Sequence, residues 1–240
     1  MIIFEAQNLV KYFGGLAAVK GVNFQVEKGQ IFGLIGPNGS GKTTTFNLIN
    51  NFFPLTSGDI LFNGQSIKSL KTYKICQLGI ARTFQIVKPL ARLSVLDNVT
   101  ASAFCRVSSI AEAKKLALET IEFCGLADYK DHQAKSLPIG LRKRLEITRA
   151  MATQPQLLLL DETAAGLTPK EVDQAIVLIQ EINRRGVTII IIEHIMKVIM
   201  SISHRILAIN YGQPIAEGSP AEIAQNPKVI EAYLGEEANA

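Results

Sequence analysis

The pattern of apolar and polar positions changes character along the chain. Near the N-terminus the two kinds alternate through Val22-Asn23-Phe24-Gln25-Val26, which predicts a half-buried strand. A continuous apolar run at Ile31–Ile35 predicts a further strand, and the runs at Leu157–Leu160 and Thr188–Ile192 predict strands buried in a parallel sheet. From about residue 85 to about residue 155 the apolar spacing is helical instead. The chain is therefore predicted to have an α/β core with a mostly helical insertion.

Shorter signals add further elements to this outline. Ser94 precedes an apolar pattern as a helix cap would, and Pro169 occupies the first turn of a predicted helix that ends at Arg184. The remaining predicted elements are helices at 42–51, 110–124 and 140–153, a strand at 59–62, short β segments at 205–209 and 214–217, and two short helices in the tail. The sequence shows no internal repeat.

The strongest chemical signal lies directly after the first apolar run. Residues 36–43 read Gly-Pro-Asn-Gly-Ser-Gly-Lys-Thr and match the phosphate-binding loop pattern G-x-x-x-x-G-K-[ST]. Between a strand and a helix, such a loop turns its backbone N–H groups toward a phosphate; Lys42 would reach the β- and γ-phosphates, and the Thr43 hydroxyl would ligate Mg²⁺. The alternative is a glycine-rich turn before an ordinary helix. We expect nucleoside triphosphate binding by Gly36, Pro37, Asn38, Gly39, Ser40, Gly41, Lys42, Thr43 and Thr44.

Two carboxylates close the second apolar run. Asp161 stands at the end of that predicted strand, where phosphate-loop enzymes hold Mg²⁺, and Glu162 could orient or deprotonate an attacking water. The alternative is a strand that ends at acidic helix-start residues. The guanine-reading sequence [NT]-K-x-D is missing, because no Asn-Lys or Thr-Lys dipeptide occurs. ATP is therefore the preferred triphosphate.

Composition restricts the protein class without naming a function. Apolar residues make up 48% of the 240 residues, and the net charge of +4 is too small to indicate nucleic-acid binding. Three widely spaced cysteines suit a reducing compartment. No signal-peptide pattern begins the chain, and charged residues and histidines interrupt the most apolar segment, 187–209. We expect a protein that is soluble on its own.

The phosphate loop, the segment 135–150 and the acidic pair follow one another in this order, and with them the chain resembles the ATP-binding cassette of ABC transporters over essentially all 240 residues. The resemblance implies an α/β P-loop ATPase core with an antiparallel β subdomain and a helical subdomain. The core and β subdomain would span about 1–85 and 156–240, and the helical subdomain about 86–155. The implied activity is ATP hydrolysis with Mg²⁺.

The same resemblance implies roles for residues outside the loop. Gln85 would touch Mg²⁺ and the attacking water and link to membrane subunits, and His194 would contact the γ-phosphate; a structural histidine is the alternative. Phe13, or less well Tyr12, would stack on adenine, whereas an aromatic pair in an early strand, taken on its own, more often belongs to the core. The implied catalytic set is Lys42, Gln85, Glu162 and His194, and the implied metal set is Thr43, Gln85 and Asp161.

The signature segment departs from the family pattern. Where most cassettes read Leu-Ser-Gly-Gly-Gln, this chain reads Leu137-Pro138-Ile139-Gly140-Leu141. In the family this segment opens a helix that faces the ATP of a partner subunit, and Gly140 with the helix dipole is retained here. Thr168 replaces a family aspartate, which puts a contact across the dimer in doubt. The basic residues Arg142, Lys143, Arg144 and Arg149 that follow predict a solvated helix face.

Smaller motifs are similar to those of ATPase subunits of branched-chain amino-acid importers. They are Phe13-Gly14-Gly15-Leu16, Arg82-Thr83-Phe84-Gln85, Leu145-Glu146-Ile147, Ala164-Ala165-Gly166-Leu167 and Glu231-Ala232-Tyr233-Leu234-Gly235. This similarity implies a second ATP-binding subunit, membrane permease subunits and a substrate-binding protein as partners, no nucleic acid, and a place on the cytoplasmic face of the cell membrane. Ile195 stands where many of these subunits have an aspartate after the histidine.

Other functions stay open at this point. A cassette of lipopolysaccharide export has a similar length and tail. A soluble ABC ATPase acting on DNA or ribosomes usually carries two cassettes or a coiled-coil insertion, neither of which occurs here. The altered signature and Thr168 favour a weakly hydrolysing regulatory cassette, whereas retention of Glu162 argues against it. The transported solute and the composition of the dimer do not follow from the sequence.

Overall fold

The computed structural model describes residues 1–84 and 89–237 of the chain. By its tertiary contacts the chain divides into two compact units, one made of Met1–Ile75 with Thr188–Ala240 and the other of Cys76–Val187. The subdomain boundaries expected near residues 85 and 155 stay a prediction.

Strands and helices alternate through most of the chain. The strands are β1 (Ile2–Phe13), β2 (Leu16–Glu27), β3 (Ile31–Ile35), β4 (Ser57–Phe62), β5 (Gln65–Ser66), β6 (Ile80–Arg82), β7 (Leu157–Asp161), β8 (Thr188–Ile192), β9 (Arg205–Asn210) and β10 (Gln213–Gly218). The helices are α1 (Lys42–Ile49), α2 (Thr72–Leu78), α3 (Val95–Ala103), α4 (Ile110–Phe123), α5 (Ile139–Met151), α6 (Pro169–Arg184), α7 (Met196–Ile202), α8 (Pro220–Ala224) and α9 (Pro227–Glu237).

The first unit contains an antiparallel sheet and a parallel group of strands. The antiparallel strands follow the order β2-β1-β4-β5. In the parallel group β3 lies between β8 and β9, with Leu34 opposite Ile192 and Ile35 opposite Ala208, and β10 pairs antiparallel to β9. Every residue of β3 and β8 is buried, which explains their continuous apolar sequences. The carboxyl ends of β3, β8 and β9 therefore meet at one edge of the sheet.

The second unit combines two parallel strands with a helical core. Strands β6 and β7 pair in parallel, with Arg82 opposite Leu159. Helices α3, α4 and α5 pack together because each presents an apolar face of helical period. Their shared core is formed by Val95, Val99, Ala103, Ala113, Ala117, Ile121, Leu126, Ala134, Leu137, Leu145 and Ala152.

The structure confirms the predicted buried strands and most of the predicted helices. Helix α6 runs from Pro169 to Arg184 as expected, and Ser94 caps α3 by accepting a hydrogen bond from the Asp97 backbone N–H. The elements that were not predicted include the full length of β1, the two-residue strand β5 and the short helices α2 and α7. Helix α2 buries only Ile75, so its sequence carries little amphipathic pattern to detect. In the described parts of the chain, no helix combines the length and the apolar character needed to cross a bilayer.

Candidate functional site

The predicted phosphate-binding loop lies between β3 and α1 in the first unit. Gly36, Gly39 and Gly41 have positive φ angles of 151°, 74° and 105°, conformations that residues with a side chain rarely adopt. Gly41 lies directly before α1, where the Thr45 backbone N–H donates to its carbonyl at 2.8 Å. The glycines at these positions allow the backbone turn that the sequence motif requires.

Lys42 is folded into the loop itself. Its side chain is buried, and the ammonium group donates to the carbonyl oxygens of Gly36 at 2.7 Å and Pro37 at 2.8 Å. A positive charge is therefore held at the centre of the loop, and the neighbouring residues Asn38 and Gly39 are exposed to solvent. Thr43 and Thr44 are half-buried in the first turn of α1. This arrangement suits an anion that approaches from the exposed side of the loop.

The loop is fixed by parts of the first unit that lie far away in sequence. The Gly212 N–H, in the turn between β9 and β10, donates to the carbonyl of Ser40 at 2.9 Å. A Cβ atom on Gly41 would stand 2.6 Å from the carbonyl oxygen of Ala18, so β2 backbone closes the other side of the loop. The sequence motif did not point to Gly212 or Ala18; the Tyr-Gly pair at 211–212 was the available turn signal.

His194 lies at the same edge of the sheet as the phosphate loop. Strand β8 ends at Ile192, and Glu193 and then His194 follow it. Strand β8 runs parallel to β3, and the carboxyl end of β3 leads into the loop. The His194 side chain is exposed, while Glu193 is buried. The first unit thus places the predicted phosphate loop and the predicted histidine at neighbouring strand ends.

Phe13 ends β1 and belongs to a small aromatic group. Its ring meets that of Phe53 edge to face, with ring centroids 5.2 Å apart, and the Lys11 ammonium lies 5.0 Å from its centroid. The ring is 41% exposed. It therefore keeps surface available for stacking, although the contacts themselves are compatible with either alternative for this residue.

The predicted metal residue Asp161 ends β7 in the second unit and has two firm partners there. Its Oδ2 accepts a hydrogen bond from Arg82 Nη2 at 2.7 Å in an ion pair that is almost fully buried. Its backbone N–H donates to the Thr83 hydroxyl at 3.1 Å. The sequence indicated Arg82 and Thr83 only as parts of a subfamily motif, yet these two residues hold the carboxylate in place. Gln85 lies outside the residues that the structure describes.

Glu162 has a conformation that is unusual for its residue type. Its φ angle is +50°, in the left-handed region, and its side chain is largely buried. For a residue with a Cβ, this conformation costs about 1–2 kcal/mol. Lys143 of α5 donates from its ammonium group to the Glu162 carbonyl oxygen at 2.8 Å. The candidate base thus stands on a strained turn that a buried lysine supports.

The basic residues of α5 do not form a solvated face, so that prediction was wrong. Lys143 is 8% exposed. Arg142 donates to the Leu137 carbonyl, Arg144 to the Cys124 carbonyl, and Arg149 pairs with Glu146. These cations satisfy backbone carbonyls and one carboxylate inside the second unit. Long side chains can reach such partners while their stems pack on apolar surface, which residue type alone does not reveal.

The signature segment is partly built into the helical core. Leu137 is buried, and Leu141 packs against the core of α3, α4 and α5. Pro138 precedes α5, and Ile139 is exposed. A Cβ on Gly140 would stand 2.3 Å from Glu171 Oε1, so the retained glycine permits close packing within this unit.

Thr168 caps α6. Its hydroxyl accepts a hydrogen bond from the Glu171 N–H while the Glu171 carboxylate accepts one from the Thr168 N–H. The Thr168 backbone N–H and, second in effect, the Thr168 hydroxyl both donate to the Glu171 carboxylate and lower its pKa. Threonine and aspartate are both favourable capping residues. The replacement of the family aspartate therefore preserves the start of this helix.

Two described residues, one in each unit, offer oxygen atoms of the kind that Mg²⁺ takes as ligands. Among the described residues no group of three or more His, Cys, Asp or Glu side chains could hold a metal. Thr43 offers a hydroxyl at a helix start and Asp161 a carboxylate at a strand end. Mg²⁺ prefers such oxygen ligands, few from protein and the rest from phosphates and water.

Comparison with known proteins identifies the family. The ABC transporter family profile matches residues 19–165, and the profile of the branched-chain amino acid ATP-binding cassette transporters matches residues 213–239. The chain is 42% identical to the high-affinity branched-chain amino acid transport ATP-binding protein BraF of Pseudomonas aeruginosa and 41% identical to LivG of Escherichia coli K12, with 98% of each chain covered in both cases.

Solved structures agree with the sequence relatives. The ADP conformation of MJ1267, an ATP-binding cassette of an ABC transporter, superposes with a TM-score of 0.89 at 32% identity, covering 98% of this chain and 99% of that one. A dimeric structure of the ATP-binding cassette MJ0796 bound to ADP and Pi has a TM-score of 0.82 at 26% identity, covering 91% and 99%. The phosphate loop, the strand-end acids and these matches together show that the chain belongs to the ABC transporter family as an ATP-binding cassette.

Proposed function

We propose that this chain is the ATP-hydrolysing subunit of an importer for branched-chain or related amino acids. ATP binding is supported chiefly by the buried Lys42 ammonium at the centre of a glycine loop. The solute class is supported by the identity of 42% to BraF across nearly the full length of both chains. The tail match at residues 213–239 points to the same group of cassettes.

We assign the phosphate contacts to the loop and to His194. The loop N–H groups and Lys42 bind the β- and γ-phosphates, and Lys42 exchanges its carbonyl partners for phosphate oxygens. His194, at the neighbouring strand end, contacts the γ-phosphate. Phe13 stacks on the adenine with the exposed part of its ring.

Other residues are assigned to the magnesium ion and to the attacking water. Thr43 and Asp161 would hold Mg²⁺, which would supply positive charge where the phosphates bind. Arg82 binds one oxygen of Asp161 and so orients this carboxylate. Glu162 orients the attacking water and accepts its proton at the carboxylate. Gln85 is assigned to the water and to the link with the membrane subunits on family resemblance alone.

The transporter requires further chains. A second ATP-binding subunit pairs with this one, in keeping with the dimeric MJ0796 cassette, and its signature segment completes the site. Separate permease subunits carry the solute and receive it from a substrate-binding protein. The chain then acts on the cytoplasmic face of the membrane. Its own segment 137–141 would face the partner's ATP through the start of α5.

A weakly hydrolysing regulatory cassette is the second candidate. Pro138 and Leu141 offer no side-chain hydrogen bond where the common signature has a serine and a glutamine, and Leu141 packs toward its own core. A site built with this signature would bind ATP with fewer side-chain hydrogen bonds. A turnover in the assembled transporter that depends on Glu162 of this chain excludes the regulatory role.

Uptake measurements in the organism that carries this chain test the proposal. Deleting its gene should abolish high-affinity uptake of radiolabelled leucine, isoleucine or valine and leave arginine uptake unchanged. The wild-type gene should restore uptake, whereas Glu162→Gln should not, because an amide cannot accept the proton. Uptake that survives deletion, or that Glu162→Gln restores fully, contradicts the proposed function.

A further inference from the structure

The C-terminal tail makes a direct contact with the phosphate loop in the first unit. The Tyr233 hydroxyl, on α9, accepts a hydrogen bond from the Gly36 backbone N–H at 2.9 Å. The two residues are separated by 197 positions in the chain. Tyr233 belongs to the motif Glu231-Ala232-Tyr233-Leu234-Gly235, to which the ATP site so far assigns no role.

Gly36 is the residue at which the loop leaves β3, and it is tightly enclosed. A Cβ on this residue would stand 2.1 Å from the Ile209 carbonyl oxygen and 2.7 Å from the Ser40 hydroxyl. The residue is buried, and the Gly36 carbonyl accepts from Lys42. A buried N–H without an acceptor is costly, so the direction of the Gly36 amide depends on the tyrosine hydroxyl.

We propose that Tyr233 is a positioning residue for ATP binding, which acts by fixing the first peptide of the phosphate loop. The inference rests on the proposed role of residues 36–44 as the phosphate site. Because Tyr233 fixes the Gly36 amide and Lys42 binds the Gly36 carbonyl, both ends of this residue are held before ATP arrives. A loop that is already ordered loses less conformational freedom on binding, and its affinity for phosphate is higher.

The alternative is that the hydroxyl serves only to anchor α9. The two roles differ in what they change. An anchor contributes to folding stability and leaves the affinity for ATP unaltered. A positioning residue raises the Michaelis constant for ATP when it is removed, with little change in kcat, because the loop contacts the phosphates in the ground state and in the transition state alike.

The experiment compares full-length variants of the chain. Tyr233→Phe removes the hydroxyl and keeps the ring, and Tyr233→Leu removes both. Tyr73→Phe is the matched control, since Tyr73 is an exposed tyrosine on α2. Lys42→Ala is the reference for loss of the phosphate site. For each variant we would measure the dissociation constant of ATP without turnover, kcat, KM and the thermal unfolding midpoint.

Tyr233→Phe should weaken ATP binding and raise KM about three- to tenfold, the effect of one hydrogen bond, with kcat within about twofold of wild type. Tyr233→Leu should show the same rise in KM as Tyr233→Phe, and its unfolding midpoint should fall further than that of Tyr233→Phe. Tyr73→Phe should match wild type. Unchanged ATP affinity and KM in Tyr233→Phe, whatever its unfolding midpoint, overturns the inference alone. Wild-type ATP affinity in Lys42→Ala overturns the proposed phosphate site as well.

Discussion

Replacing Lys143 by methionine tests whether the buried lysine supports the candidate base. Lys143 is 8% exposed and donates to the Glu162 carbonyl at 2.8 Å. Hydrogen bonds to charged groups are worth about 1.5–3 kcal/mol, and the left-handed conformation of Glu162 costs about 1–2 kcal/mol. The bond and the strain are thus of the same size. Without the ammonium group, the turn can relax toward ordinary φ values and carry the carboxylate with it.

The size of the effect on the reaction follows from these values. If loss of this hydrogen bond raises the activation free energy by the same 1.5–3 kcal/mol, kcat falls about 10- to 150-fold. Binding of ATP should change by less than about twofold, because Lys143 does not belong to the phosphate loop. Methionine keeps most of the side-chain volume and removes a buried charge, so the folding stability should change little.

Steady-state ATPase rates and equilibrium ATP binding measure the two quantities separately. Lys135→Met is the matched control, since Lys135 is an exposed lysine in the same unit. Lys143→Arg retains a charged donor and should recover part of the rate. The reasoning is refuted if Lys143→Met turns over within a factor of about two of wild type, or if its ATP affinity falls as much as its rate.

Three further predictions concern the second unit. Thr168→Ala should destabilise the chain by about 0.5–2 kcal/mol in urea unfolding because α6 loses its cap; unchanged stability would show that water replaces the cap. Leu141→Gln should lower the thermal unfolding midpoint because an amide enters a packed apolar position, whereas a tighter ATP-dependent dimer would show that this side chain reaches the partner's nucleotide. Burial raises the pKa of Cys124 to about 11, so its alkylation by iodoacetamide at about pH 8.5, followed by mass spectrometry, should be much slower in the folded chain than in urea; equal rates contradict this.

Local sequence patterns determined the elements that carry the chemistry. The apolar runs of β3, β7 and β8 are buried along their whole length, so the pattern alone identified the strands and their ends. The glycines at 36, 39 and 41 adopt the positive φ angles that the motif requires. These features depend on residues that are close together in the sequence, so they can be predicted from the sequence directly.

The contacts that hold these elements in position were decided by the tertiary structure. Arg82 and Asp161 are 79 positions apart, and Tyr233 and Gly36 are 197 apart. The basic residues of α5, predicted to be solvated, instead bind carbonyl groups of their own unit, and Lys143 reaches Glu162. A residue's type limits which partners it can bind. Which partner lies within reach depends on how strands and helices pack, and this information is spread over the whole chain rather than contained in any local pattern.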